Sequence, residues 1–249
     1  MIDLYSLLFE VIVEPKRKKP KHTGELGIQL DKGIENIKAV YNEAEPEEKE
    51  YWGRWYFNAK DDVQELATKY GINFPVMAAV VAVLSPGNKW IGNLLAAERV
   101  VKKFQDPSLQ IKINSYPKNI SKALGILESG NVGLVTGPKV SVFYKSLLDP
   151  ESVAHDLVLD SHAINIWRGI KRNIKATEKP SKETREKMVA DYKQAASELG
   201  VPVQAVQAVT WYIWKYTTSP PIVPDVTLPV ETKPVPRQRG VKKPSVDSI

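Results

Sequence analysis

The chain has 249 residues and a mass of 27.9 kDa, with 35 basic against 29 acidic side chains, a net charge of +6 and a pI near 9.2. That length can bury one large domain or two small lobes, and the charge permits a polyanionic partner without establishing one. No cysteine is present, which excludes disulfides, thiolate catalysis, thiolate zinc sites and iron–sulfur clusters.

Only His22, His155 and His162 remain as imidazoles, and no two of them form an H-x-x-x-H pair, so neither a metal nor another cofactor is expected. No apolar run approaches the roughly 20 residues of a membrane-spanning helix. The opening MIDLYSLLFEVIV contains Asp3 and Glu10 and lacks a basic leader, so it does not read as a secretory signal and the expectation is an intracellular protein without membrane contact. That stretch is ambiguous between strand and helix. Residues 15–22, PKRKKPKH, form a proline-broken basic arm, read as a solvated linker or a DNA-tracking tail. Residues 1–25 are therefore set apart from a globular unit over 26–216. An acidic cluster over 43–50 marks a face expected to repel DNA.

The periodicity inside the unit is helical. Trp52, Trp55, Tyr56, Ala59, Val63, Leu66, Ala67 and Tyr70 recur at three- and four-residue spacing, and Gly71 is placed to end that helix. Residues 74–84, FPVMAAVVAVL, are apolar on every side, which predicts a central buried helix. After the break Ser85-Pro86-Gly87-Asn88, a helix with the stripe Leu94, Ala97, Val101 and Phe104 follows. Beta signals are sparse, confined here to Leu109, Ile111 and Ile113, which alternate with polar residues.

Residues 120–148 read as helix, glycine-rich turn, helix. Gly137 allows close approach of another molecule to the backbone, and Pro138 suits the first helical turn. Free N–H groups at such a turn, with the positive end of the second helix behind them, can hold a phosphate without reading sequence. Leu157, Val158 and Leu159 then run into the core, and Asp160-Ser161-His162 opens a helix containing Ile164 and Trp167. A carboxylate there serves either as an N-cap, worth about 1 kcal/mol, or as an ionised group available for chemistry. Met188, Tyr192, Ala195 and Leu199 form a further stripe closed by Gly200. Pro202 precedes a last helix with Val206, Val209 and Ile213. Trp211 and Trp214 are read as core, Trp90 as core or as a stacking ring, and Gln204 and Gln207 have no assignment. Residues 217–249 hold seven prolines and read as an extended or disordered tail. The fold class is all-α with two extended ends.

Charge is uneven. Between Lys89 and Lys145 nine basic residues face only Glu98, Asp106 and Glu128, a local excess equal to that of the whole chain.

Three segments in this order, LSPGNKW at 84–90, TGPK at 136–139 and DSHA at 160–163, resemble the helix-hairpin-helix DNA glycosylases of the endonuclease III type. The same pattern looks like small bacteriophage-type proteins related to that superfamily. The resemblance covers residues 81–168 and implies two helical lobes flanking a cleft, with double-stranded DNA as the partner. By the resemblance, the hairpin turn with Thr136 and Gly137 binds a phosphate, and Ser85, Gly87, Asn88 and Lys89 reach into the space left by an extruded base. Asp160 supplies the essential carboxylate, beside His162. Lys139 stands where lyase-competent members carry a nucleophilic amine, although a lysine beside such a turn also serves as a plain phosphate contact. Two positions depart from the family pattern: Val135 replaces a turn glycine, and Asn165 replaces an arginine five residues after the aspartate. The implied activity is cleavage of the N-glycosidic bond of a damaged or modified base, with a lyase step if Lys139 attacks the sugar. A non-catalytic DNA-binding protein of this fold, or a phage structural or interaction protein, are the alternatives.

Overall fold

The computed structural model describes residues 30–151, 157–170, 177 and 179–216. The N-terminal arm, His155 and the proline-rich tail lie outside the described residues. Among those described, ten α-helices and one 3₁₀ turn account for all regular structure and no strand occurs. The fold is all-α.

Helix α1 (Gly33–Asn42) leads to α2 (Pro46–Gly53), where the acidic cluster has a local task. Glu48 is buried and its Oε2 accepts the Glu45 N–H at 3.0 Å, satisfying a donor that the first turn would leave open. The continuous helix expected from Trp52 to Tyr70 is broken at Arg54, so Trp52 lies in the last turn of α2 while Trp55 begins α3 (Trp55–Tyr70). The break lets neighbouring aromatics face different cores: Trp52 packs with the second cluster described below, Tyr56 with the first, and Trp55 lies against both. Gly71, at φ 63°, closes α3 as expected.

Helix α4 (Phe74–Leu84) has the predicted limits, and every residue from Met77 to Leu84 is buried. It meets α3 at a bend of 117°. Around it pack α3, α5 (Trp90–Gln105), α6 (Pro117–Ser129) and α7 (Pro138–Leu148). An all-apolar helix is stable only when such neighbours cover every side. Trp90 packs with Trp55 and Phe143, and its indole N–H donates to Asp62 at 2.7 Å.

The second cluster is built from α1, α2, α8 (Ser161–Arg168), α9 (Lys182–Leu199) and α10 (Val203–Tyr216). Helix α10 lies between the halves, touching α1, α2, α8 and α9 and also reaching α3. Among the described residues no single helix is long and apolar enough to cross a membrane.

Two further local signals do not hold. Leu109, Ile111 and Ile113 do not form a strand, because no second strand offers a ladder. That loop is fixed by side chains instead: Lys103 donates to the Leu109 carbonyl at 3.2 Å and Arg99 to that of Lys112 at 3.1 Å. Phe104 is exposed, since it lies in the last turn of α5, past the neighbours that cover Leu94, Ala97 and Val101.

One buried charge gives the first half a pH dependence. Glu98 is only 7% exposed and accepts from Tyr70, from Lys69 at 3.1 Å and from Lys102 at 3.2 Å. Burial alone would raise its carboxyl pKa, but these donors outweigh burial and hold it below the usual value of 4.5. A carboxyl whose pKa is lowered by folding stabilises the native state above its unfolded range and loses that contribution as pH falls through the folded value. Glu98→Gln is therefore expected to cost about 1–2 kcal/mol near neutrality. Paired thermal melts should show the gap closing below about pH 4.5.

Candidate functional site

The predicted hairpin is present. Gly130, at φ 67°, ends α6, and Asn131 Oδ1 accepts the Gly133 N–H at 2.9 Å to shape the 3₁₀ turn Val132–Leu134. Gly137 then takes φ 95°, with no atom within 4 Å of where a Cβ would stand. This conformation favours glycine, and the space beside it is open. Pro138 occupies the first turn of α7, and the first helical hydrogen bond runs from Ser141 N–H to the Gly137 carbonyl at 2.9 Å. No side chain caps this helix start, so the N–H groups of Lys139 and Val140 stay open. Thr136, Gly137 and Lys139 are exposed, and Lys122 donates to Thr136 Oγ1 at 2.9 Å. Val135 packs against the first core cluster.

Lys139 is exposed. In the loop over 85–89, two polar side chains stabilise the end of α4: Ser85 Oγ donates to the Ala82 carbonyl at 2.8 Å and Asn88 Nδ2 to the Leu84 carbonyl at 2.9 Å. Gly87 and Lys89 are exposed.

Asp160 is the N-cap of α8. Its Oδ1 accepts the Ala163 N–H at 2.8 Å, and among the described residues its other oxygen has no hydrogen-bond partner. The segment before it is extended, with Leu157 and Leu159 in the second cluster and Val158 in the first, which places Asp160 at the seam between them. Two buried phenols lie nearby, Tyr56 from the first cluster and Tyr192 from the second. Both are pushed far above the ordinary tyrosine range, by burial foremost and then by the Asp160 charge. Neither gives its proton to Asp160: Tyr56 Oη donates to Gln207 Oε1 at 3.1 Å and Tyr192 Oη to the Ala163 carbonyl at 3.2 Å.

Gln207 holds this seam together. Its Oε1 also accepts the Val158 N–H at 3.2 Å while its Nε2 donates to the Val158 carbonyl at 2.6 Å. About one turn earlier in α10, Gln204 donates to Ser146 Oγ on α7 at 2.9 Å. Residues 19–218, a span that includes all ten helices, match one family model. The chain belongs to DUF7178, a family of unknown function. No curated protein and no solved structure matches it.

For this DUF7178 chain the chemistry must therefore be argued from side chains. Tyr56 and Tyr192 feel the Asp160 charge, and Gln207 bonds Tyr56 and the backbone of Val158, two residues before the aspartate; none of the three was expected as a site residue. His162 is half-buried, its ring edge-on to Trp211 at 6.0 Å, and Lys215 covers the indole at 4.4 Å. Among the described residues no hydrogen bond or ion pair joins Lys139 to Asp160, and no three acidic or imidazole groups are gathered to hold a metal ion. A shallow depression along α3 is lined by Asp61, Gln64, Glu65, Thr68 and Lys69, an acid-rich set unsuited to phosphate.

Proposed function

We propose that this protein binds duplex DNA through the α6–α7 hairpin and acts as a base-excision glycosylase in which Asp160 is the catalytic carboxylate. The observation that carries the reading is the position of Asp160 at the seam of the two clusters, with one oxygen fixed by the Ala163 N–H and the other left as an acceptor. In this reading the open N–H groups at the start of α7, with Lys139 and Lys122 beside them, hold a backbone phosphate. A nucleotide leaves the stack at a cost of a few kcal/mol, smaller where the base is damaged or mispaired. As the bond from C1′ to the base breaks, Asp160 stabilises the positive charge on the sugar; water adds to C1′ and its proton leaves with the base. The exposure of Lys139 favours this hydrolytic route over an imine with the sugar.

Asp160→Asn keeps an acceptor for Ala163 and removes the charge. Turnover in a cleavage screen over duplexes with single modified bases should fall by about 10²–10³-fold, while affinity for the same duplexes changes little. Equal turnover by the variant overturns the catalytic role.

A second reading, DNA binding without chemistry, is favoured by the exposure of the hairpin and Lys139 together with the absence of Asp160 from the depression along α3. It predicts strongly salt-dependent binding, no preference for damaged sites and no effect of Asp160→Asn.

A further inference from the structure

The loops over 85–89 and 113–116 converge on the last turn of α4, where the Leu84 carbonyl accepts from Asn88 Nδ2 at 2.9 Å and from Ser115 Oγ at 3.5 Å. That shared anchor brings Gly87 against Tyr116. A Cβ on Gly87 would stand 3.2 Å from both Cε2 and Oη of the tyrosine, so one edge of the ring rests on bare backbone at φ 84°. The backbone of Tyr116 is itself fixed, since its carbonyl accepts from the N–H groups of Asn119 and Ile120 at 2.9 and 3.0 Å as α6 begins. Tyr116 nevertheless remains 61% exposed, more than any other large apolar side chain among the described residues.

Its surroundings are cationic. Lys89 and Lys118 each lie two residues from one member of the Gly87–Tyr116 pair, Lys112 precedes it in the same loop, and all three are exposed. No acidic residue occurs between Glu65 and Glu98, or between Asp106 and Glu128. An anchored flat ring within an acid-free basic stretch suits a partner that combines negative charge with planar apolar faces. Nucleic acid meets that description, because its phosphates answer the lysines and its bases offer a π-face to the ring. Bases inside an intact duplex are already stacked on one another, which leaves the ring to an unpaired base.

We infer that Tyr116, braced by Gly87, is a stacking platform for an unpaired base of DNA. This rests on the DNA-binding reading above and adds a residue and a ligand feature to it. The test uses the full chain, its Tyr116→Ala and Tyr116→Phe variants, and two labelled duplexes that differ only by one unpaired thymidine, with affinity read by fluorescence anisotropy. Tyr116→Ala should weaken binding to the bulged duplex by about 5–150-fold, the range for losing one base–aromatic stack. The same variant should leave binding to the matched duplex within about twofold, because phosphate contacts dominate there. Tyr116→Phe should retain the preference for the bulge. Equal loss on both duplexes, or no loss on the bulged one, overturns the platform while leaving DNA binding in place. Failure of the wild-type chain to bind either duplex overturns the DNA-binding reading, and the platform with it.

Discussion

Replacing Gln207 by leucine is expected to destabilise the protein by about 4 kcal/mol, because one change leaves three buried groups without partners. The carboxamide satisfies both backbone groups of Val158 and accepts the Tyr56 hydroxyl. Gln207 is 6% exposed and Val158 5%, so water cannot replace the lost bonds. Each unmet buried donor or acceptor costs roughly 1–3 kcal/mol. Tyr56→Phe should cost only about 1 kcal/mol, since Gln207 Oε1 keeps the Val158 N–H. The double variant should cost less than the sum of the single ones, because after Gln207→Leu the phenol has no acceptor left to lose. Urea denaturation of the four proteins measures this coupling. Strict additivity would mean that Tyr56 and Gln207 stabilise the fold independently. Where Gln207→Leu still folds, the Val158 segment loses its tie to α10 and Asp160 loses its fixed place at the seam.

That network shows where sequence reading stops. The limits of α4 could be read directly, because an all-apolar run stands between Asn73 and the Ser85-Pro86-Gly87 break, and such a run has no exposed face to mislead. The hairpin was legible for a similar reason: Gly130, Gly137 and Pro138 are chain punctuation whose conformations are set locally. Asp160 as an N-cap follows from local sequence too. Its partners do not. Tyr56 and Tyr192 match the helical stripes of α3 and α9, and a tyrosine in a stripe reads as core, which both of them also are. Gln207 carried a faint signal, a carboxamide set among Val206, Ala208 and Val209, all buried. Which backbone it would satisfy depends on long-range packing of α10 against residues 157–160. The break at Arg54 was hidden because Trp52 and Trp55 fit one helical period, although they end on different helices and only Trp55 reaches the first cluster.

Gly33→Ala should cost about 3 kcal/mol, the upper end of the usual overpacking penalty, although it adds only one methyl group. Gly33 is the first residue of α1, and the edge of the Trp167 indole lies directly over it. A Cβ built on Gly33 would fall 2.1 Å from Trp167 Nε1 and 2.4 Å from Cδ1, well inside van der Waals contact. The ring cannot simply move away. Its Nε1–H donates to Asp191 Oδ2 at 2.7 Å, Lys187 pairs with the same oxygen at 2.7 Å, and the lysine also covers the ring at 5.5 Å. Displacing the indole therefore breaks a buried hydrogen bond, loosens an ion pair and opens the contact of α1 with α8. The backbone at Gly33 does not have a positive φ, so strain in the chain itself is not the cause. This separates the prediction from a generic glycine effect. Gly33→Ala in a Trp167→Phe background should cost less than in the wild type, because the smaller ring leaves room for the methyl and has no N–H to lose. Thermal melts of the four proteins, with tryptophan fluorescence as a second signal where Trp167 is kept, decide the matter. An equal cost in both backgrounds would exclude the indole as the obstacle. Trp167 lies in α8, the helix that Asp160 caps, so the same substitution should also disturb the seam.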